Sequence, residues 1–131
     1  MSYVEKAREL RNAEDTHYNC AQSVIIPFAQ DMNLTEAQAR ALGAHFGSGM
    51  RHGSTCGAIT GALMVLGNLG YDENQAMAIL RQMKERHGAT DCSTLLRSSH
   101  ERGEPKKSHC DGLVYEMVET LSALICERNP I

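Results

Sequence analysis

Apolar residues recur at three- and four-residue spacing along most of this chain, and strict apolar/polar alternation is scarce. Helices satisfy that pattern and strands are not needed. The spacing predicts a first helix near residues 3–13, with Val4, Ala7 and Leu10 facing inward and Glu5, Lys6, Arg8, Glu9 and Arg11 facing solvent. Asn19 is a good N-cap for a second helix over 20–32, bent where Pro27 cannot donate a hydrogen bond. Thr35 and Gln38 form a capping-box pattern that opens a third helix ending near Phe46. Apolar spacing resumes at Cys56 through Ile59, Leu63, Leu66 and Leu69 until Gly70, and Asp72 caps a helix that stops at Gly88. Asp91 caps a short helix over 92–97. The last helix runs from about 110 to 127, with Leu113, Val114, Met117, Leu121, Leu124 and Ile125 as its buried stripe.

Two segments break the pattern and read as loops: the glycine-rich GSGMRHGST at 47–55 and the charged HERGEPKKS at 100–108. The expectation is an all-α fold, a single-domain irregular or orthogonal bundle of about six or seven short helices spanning 1–131. A chain of 131 residues is long enough to bury a core without disulfides.

Thirteen basic residues against sixteen acidic ones give a formal charge of −3, which supplies no reason to expect nucleic acid or an anionic membrane as partner. The polar start MSYVEKARELRNAED lacks the apolar stretch of a secretion signal, and the apolar run 58–69 is too short and too interrupted to span a bilayer. A cytoplasmic protein is expected. There, five cysteines serve as ligands, reactive thiols or small core residues rather than structural disulfides, and the odd count leaves one unpaired.

Cys20, Cys56, Cys92 and Cys110 each fall in the first turn of an expected helix. Unpaired N–H groups and the helix dipole stabilise a thiolate there, lowering a thiol pKa from about 8.5 toward neutrality. Asn19, Thr55 and Asp91 are capping residue types, although Asp91 puts a negative charge beside Cys92. In CGAITGA the small residues Gly57, Ala58, Gly61 and Ala62 permit close approach by another helix or by a cofactor. Arg51 or a protonated His52 would favour a thiolate at Cys56. No GxxxxGK[ST] pattern or preceding strand makes the glycine-rich segment a phosphate loop. Cys126 continues the last apolar stripe and reads as structural. His52 and His109 lie near cysteines but read first as structural, whereas His17, His45, His87 and His100 fall at helix ends and in loops.

The segments NCAQSV around Cys20 and GSGMRHGSTCGAITGA around Cys56, with the later single Cys92 and Cys110, resemble the C_GCAxxG_C_C family of putative redox-active proteins over about residues 18–110. The resemblance implies that these four are the family's characteristic cysteines, that Cys126 is an extra, and that the setting is bacterial and cytoplasmic. Ser48 and Arg51 stand where glycine is common in such proteins.

Three readings follow. In the first, two of the four cysteines cycle between dithiol and disulfide, with a redox protein or small thiol as partner and no cofactor required. No CxxC is present, so helix packing must bring the pair together. Cys56 is the favoured nucleophile and Cys20 its resolving partner. In the second, all four thiolates bind zinc or an iron–sulfur cluster, although the CxxC pairs that anchor most such sites are missing. In the third, the chain is a helical interaction module, a homodimer with cysteines in its core. Hydrolytic Cys/His catalysis has no local signature here.

Overall fold

The computed structural model describes residues 1–129. It contains α1 (Tyr3–Arg11), α2 (Cys20–Ile25), α3 (Glu36–Gly43), α4 (Gly57–Asn68), α5 (Glu73–His87), α6 (Cys92–Glu101) and α7 (Lys106–Arg128). There is no strand among the described residues, so the fold is all-α as expected; a lone antiparallel bridge joins Thr55 to Asp91. Local chemistry sets most helix starts. Ser2, Asn19 and Thr35 each complete a capping box, and Asp72 and Asp91 accept a backbone N–H from three residues on. Gly88 closes α5 in the left-handed conformation.

Three boundaries differ from expectation. The long second helix stops at Ile25 and passes into a 3₁₀ turn, Ile26–Phe28, because Pro27 fits a first turn but not a helix interior. The third ends at Gly43, short of Phe46. The charged 100–108 segment is largely helical: α6 continues to Glu101, and α7 begins at Lys106 behind Pro105. Proline's fixed φ suits a helix entrance, and the N–H it lacks would find no partner there anyway. Cys110 therefore lies in the second turn of α7 and not at its start.

The 23-residue α7 is the spine, packing against α1, α2, α4 and α6, while α2 lies closest to α4. Ile25, Phe28, Ile59, Leu66, Met83, Met117 and Leu121 are fully buried in one core cluster. Each contributes roughly 1.5–3 kcal/mol by leaving water. Among the described residues no helix is long and apolar enough to cross a membrane.

Candidate functional site

Close backbone approach assembles the site. A Cβ on Gly57 would lie 2.7 Å from the Phe46 carbonyl oxygen and 3.3 Å from the Cys20 Cβ, and one on Gly61 would lie 2.9 Å from the Ala21 carbonyl oxygen. Of the two occupants allowed for the small-residue face, it is α2 that fills it. Cys56, at the N-cap of α4, is thereby set beside Cys20, the first residue of α2. The Thr55–Asp91 bridge makes the second join: the Cys56 N–H donates to the Thr90 carbonyl at 2.9 Å, and the Cys92 N–H to the Ser54 carbonyl at 2.7 Å. With α7 passing alongside, Cys20, Cys56, Cys92 and Cys110 all line one cavity of about 110 Å³, together with Arg11, Lys106 and His109.

The glycine-rich segment closes one wall with an uncommon backbone. Ser48, Gly49, Met50 and Arg51 are successively left-handed, with φ of 54°, 61°, 56° and 67°. Each non-glycine residue there costs about 1–2 kcal/mol relative to its right-handed form. Gly49 must be glycine, since a Cβ would collide with the backbone of Ser54 and lie 2.7 Å from the Cys92 Cβ. Arg51 hydrogen-bonds His45 Nδ1 and His52 is exposed, so neither assists Cys56 as the sequence suggested.

The four thiols differ electrostatically. The neighbouring Cys20 thiol lowers Cys110 most; Arg11 and Lys106 act in the same direction against burial, and the thiol falls to about 7. The same neighbour pair, then burial, pushes Cys20 well above its ordinary value. Burial lifts Cys56 to about 11 even though the N–H groups of Ala58 and Ile59 favour its thiolate. Burial raises Cys92 as well, and the charge of Cys110 adds to it. The expected lowering at helix starts is thus overturned at Cys20, chiefly by its neighbour Cys110, and at Cys56 and Cys92 by burial; at Cys56 two N–H groups do not repay desolvation. It holds at Cys110 for another reason, since that residue is past the first turn.

Arg11 is the residue the sequence placed wrongly. Its side chain is only 9% exposed; Nε donates to Asp111 Oδ1 at 2.7 Å and Nη1 to the Tyr18 carbonyl at 2.8 Å. Its charge lies beside both Cys20 and Cys110. Lys106, assigned to a loop, likewise faces the cavity. His109 is buried with Nδ1 3.5 Å from Glu104, and burial lowers its pKa, favouring a neutral ring at the cavity wall. Cys126 is exposed near the end of α7, not part of the buried stripe, and does not line the cavity. No cysteine is bonded to another. Among the described residues no three His, Cys, Asp or Glu side chains are placed to hold one metal ion.

Fold and site define a helical protein that gathers four thiols from four helices around one cavity beside two cations. The chain belongs to the C_GCAxxG_C_C family, whose model, described as "Putative redox-active protein (C_GCAxxG_C_C)", matches residues 18–124 and so includes all four cavity cysteines. No curated protein and no solved structure matches the chain significantly.

Proposed function

We propose that this protein is a dithiol oxidoreductase that exchanges electrons with disulfides, with Cys110 as the attacking thiol and Cys20 as its resolving partner. The observation that carries this reading is the meeting of Cys20 and Cys110 on one cavity wall beside Arg11 and Lys106. The role of nucleophile accordingly moves from Cys56 to Cys110. Lys106 and Arg11 stabilise the Cys110 thiolate, the form that attacks.

Cys110 Sγ bonds to one sulfur of an incoming disulfide, whose S–S bond breaks and whose other sulfur leaves as a thiolate that takes a proton. In the mixed disulfide Cys110 carries no charge, so the largest influence that held Cys20 protonated is gone; burial still raises the thiol, and Arg11 opposes it. Cys20 then loses its proton and attacks Cys110 Sγ, forming a Cys20–Cys110 disulfide and releasing the second thiol. Counting the proton that Cys110 lost to solvent on ionising, the protein gives up two electrons and two protons, and one disulfide becomes two thiols.

Partial oxidation with a limiting disulfide, followed by alkylation and peptide mapping under non-reducing conditions, tests this. The first intramolecular disulfide is expected between Cys20 and Cys110. A first disulfide between Cys56 and Cys92, or none, overturns the assignment.

A second reading keeps all four thiolates as ligands of zinc or an iron–sulfur cluster: they converge on one cavity, although no three of them are placed to hold one ion in this structure. Elemental analysis of protein purified without air or chelator separates the two: near-stoichiometric metal supports the ligand reading, and a metal-free, fully helical protein the dithiol one.

A further inference from the structure

The thiol cavity is the middle of a longer trough. It shares Arg11, Lys106 and Cys110 with a cleft of about 380 Å³ on one side, and Asn19 and Ser48 with a cleft of about 430 Å³ on the other; His17 lines all three. No aspartate or glutamate lines any of them, in a chain with sixteen acidic residues against thirteen basic ones. Arg11 and Lys107 share Asp111, each at 2.7 Å. Lys106 and Arg51 differ. Among the described residues neither forms an ion pair with a carboxylate, and the side-chain partners of Arg51 are His45 and the Ala44 carbonyl. Two uncompensated cations therefore flank the thiols, one in the middle cavity and one in the cleft beyond Ser48.

We infer that the trough binds an anionic low-molecular-weight disulfide, with acidic groups near Lys106 and Arg51 and its sulfurs at Cys110. The inference rests on the dithiol reading and adds the substrate class. A thiol cavity of about 110 Å³ admits a bare disulfide bond and little more, whereas the flanking clefts accommodate arms of a few residues' size. That shape suits a small molecule better than the surface of a folded protein. The reaction consumes one anionic disulfide and the Cys20–Cys110 dithiol and yields two anionic thiols and the protein disulfide.

Stopped-flow oxidation of the reduced protein by three disulfides, run alongside a binding titration, tests the inference. Glutathione disulfide is anionic, bis(2-hydroxyethyl) disulfide is neutral and cystamine is cationic. The anionic disulfide is expected to react about tenfold faster than the neutral one, with the cationic one slowest and the spread shrinking as salt is added. Arg51→Glu, with Arg51→Gln as the milder variant, is expected to bring the ratio of the anionic to the neutral rate down toward one. S-methylglutathione, a thioether that cannot exchange, is expected to bind saturably and shift the His17 ring resonances. Equal rates for the three disulfides with no thioether binding overturn the trough and leave the dithiol reading standing. Thioether binding with no disulfide able to oxidise Cys20 and Cys110 overturns the dithiol reading, and with it a disulfide as the ligand.

Discussion

Cys20 with Cys110, and Cys56 with Cys92, border the same cavity and meet different fates. The second pair has the tighter backbone: two hydrogen bonds across the Thr55–Asp91 bridge hold the starts of α4 and α6 side by side. It also has the better helix positions, an N-cap and a first residue. Yet both of its thiols are raised by burial. The first pair includes a residue in a second turn, and that residue is the one lowered to about 7. Partial charges at a helix end do not offset the desolvation of a buried thiolate, whereas a neighbouring thiol and two full positive charges do.

The largest effect expected from this contrast is on exchange rate. With pKa values of about 7 and about 11, about half of Cys110 but only about one part in ten thousand of Cys56 is expected to be thiolate at pH 7. A more basic thiolate is intrinsically more nucleophilic by about 0.4–0.5 log units per pKa unit, which returns roughly two of those four decades. Cys110→Ser should therefore slow disulfide exchange at pH 7 about a hundredfold, and Cys56→Ser less than about threefold, by stopped-flow kinetics. The reverse order would break the comparison.

The same pair differs in how pH acts on stability. The folded pKa of Cys56 lies above its unfolded value, so its contribution is complete below about pH 9 and is lost as pH rises toward 11. Cys110, with a folded pKa of about 7, has the opposite sign: its contribution is present above the unfolded value and is lost as pH falls through about 7. Urea unfolding of the native protein and of Cys56→Ser should show their stability difference shifting by roughly 2 kcal/mol against the native protein between pH 9 and 11. A difference independent of pH would mean that the Cys56 thiol is not desolvated.

Local signals made the framework readable. Asn19, Thr35, Asp72 and Asp91 cap their own helices through bonds spanning three residues, so the sequence contains both partners. The close approach at Gly57 and Gly61 was readable as a possibility, because only small residues allow it. Which thiols would meet was not, since Cys20 and Cys110 depend on α7 crossing α2, and nothing near either residue encodes that crossing. Arg11 was misread for the same reason: its partner Asp111 lies a hundred positions away, and on its own helix it follows the solvent face.

The wall behind Cys92 offers a smaller test. Ser48→Gly should stabilise the protein by roughly 0.5–1 kcal/mol, the relief of a left-handed φ less the added freedom of glycine in the unfolded chain. Thermal unfolding measures this. A loss of stability would mean that the Ser48 side chain, which borders the cavity, does more than accept its backbone.

The smallest effect concerns the other cysteine of α7. Cys126 shares a helix with Cys110 but is exposed, and it does not line the cavity that holds the other four thiols, Arg11 and Lys106. If neighbours rather than helix membership make a thiol reactive, Cys126→Ser should leave the exchange rate with a small disulfide unchanged and alter stability by less than about 0.5 kcal/mol. Stopped-flow kinetics and urea unfolding on the one variant check both. A slowed exchange would be the more damaging result, because it would assign redox work to a thiol with none of the features that separate Cys110 from Cys56, and the contrast drawn inside the cavity would lose its physical basis.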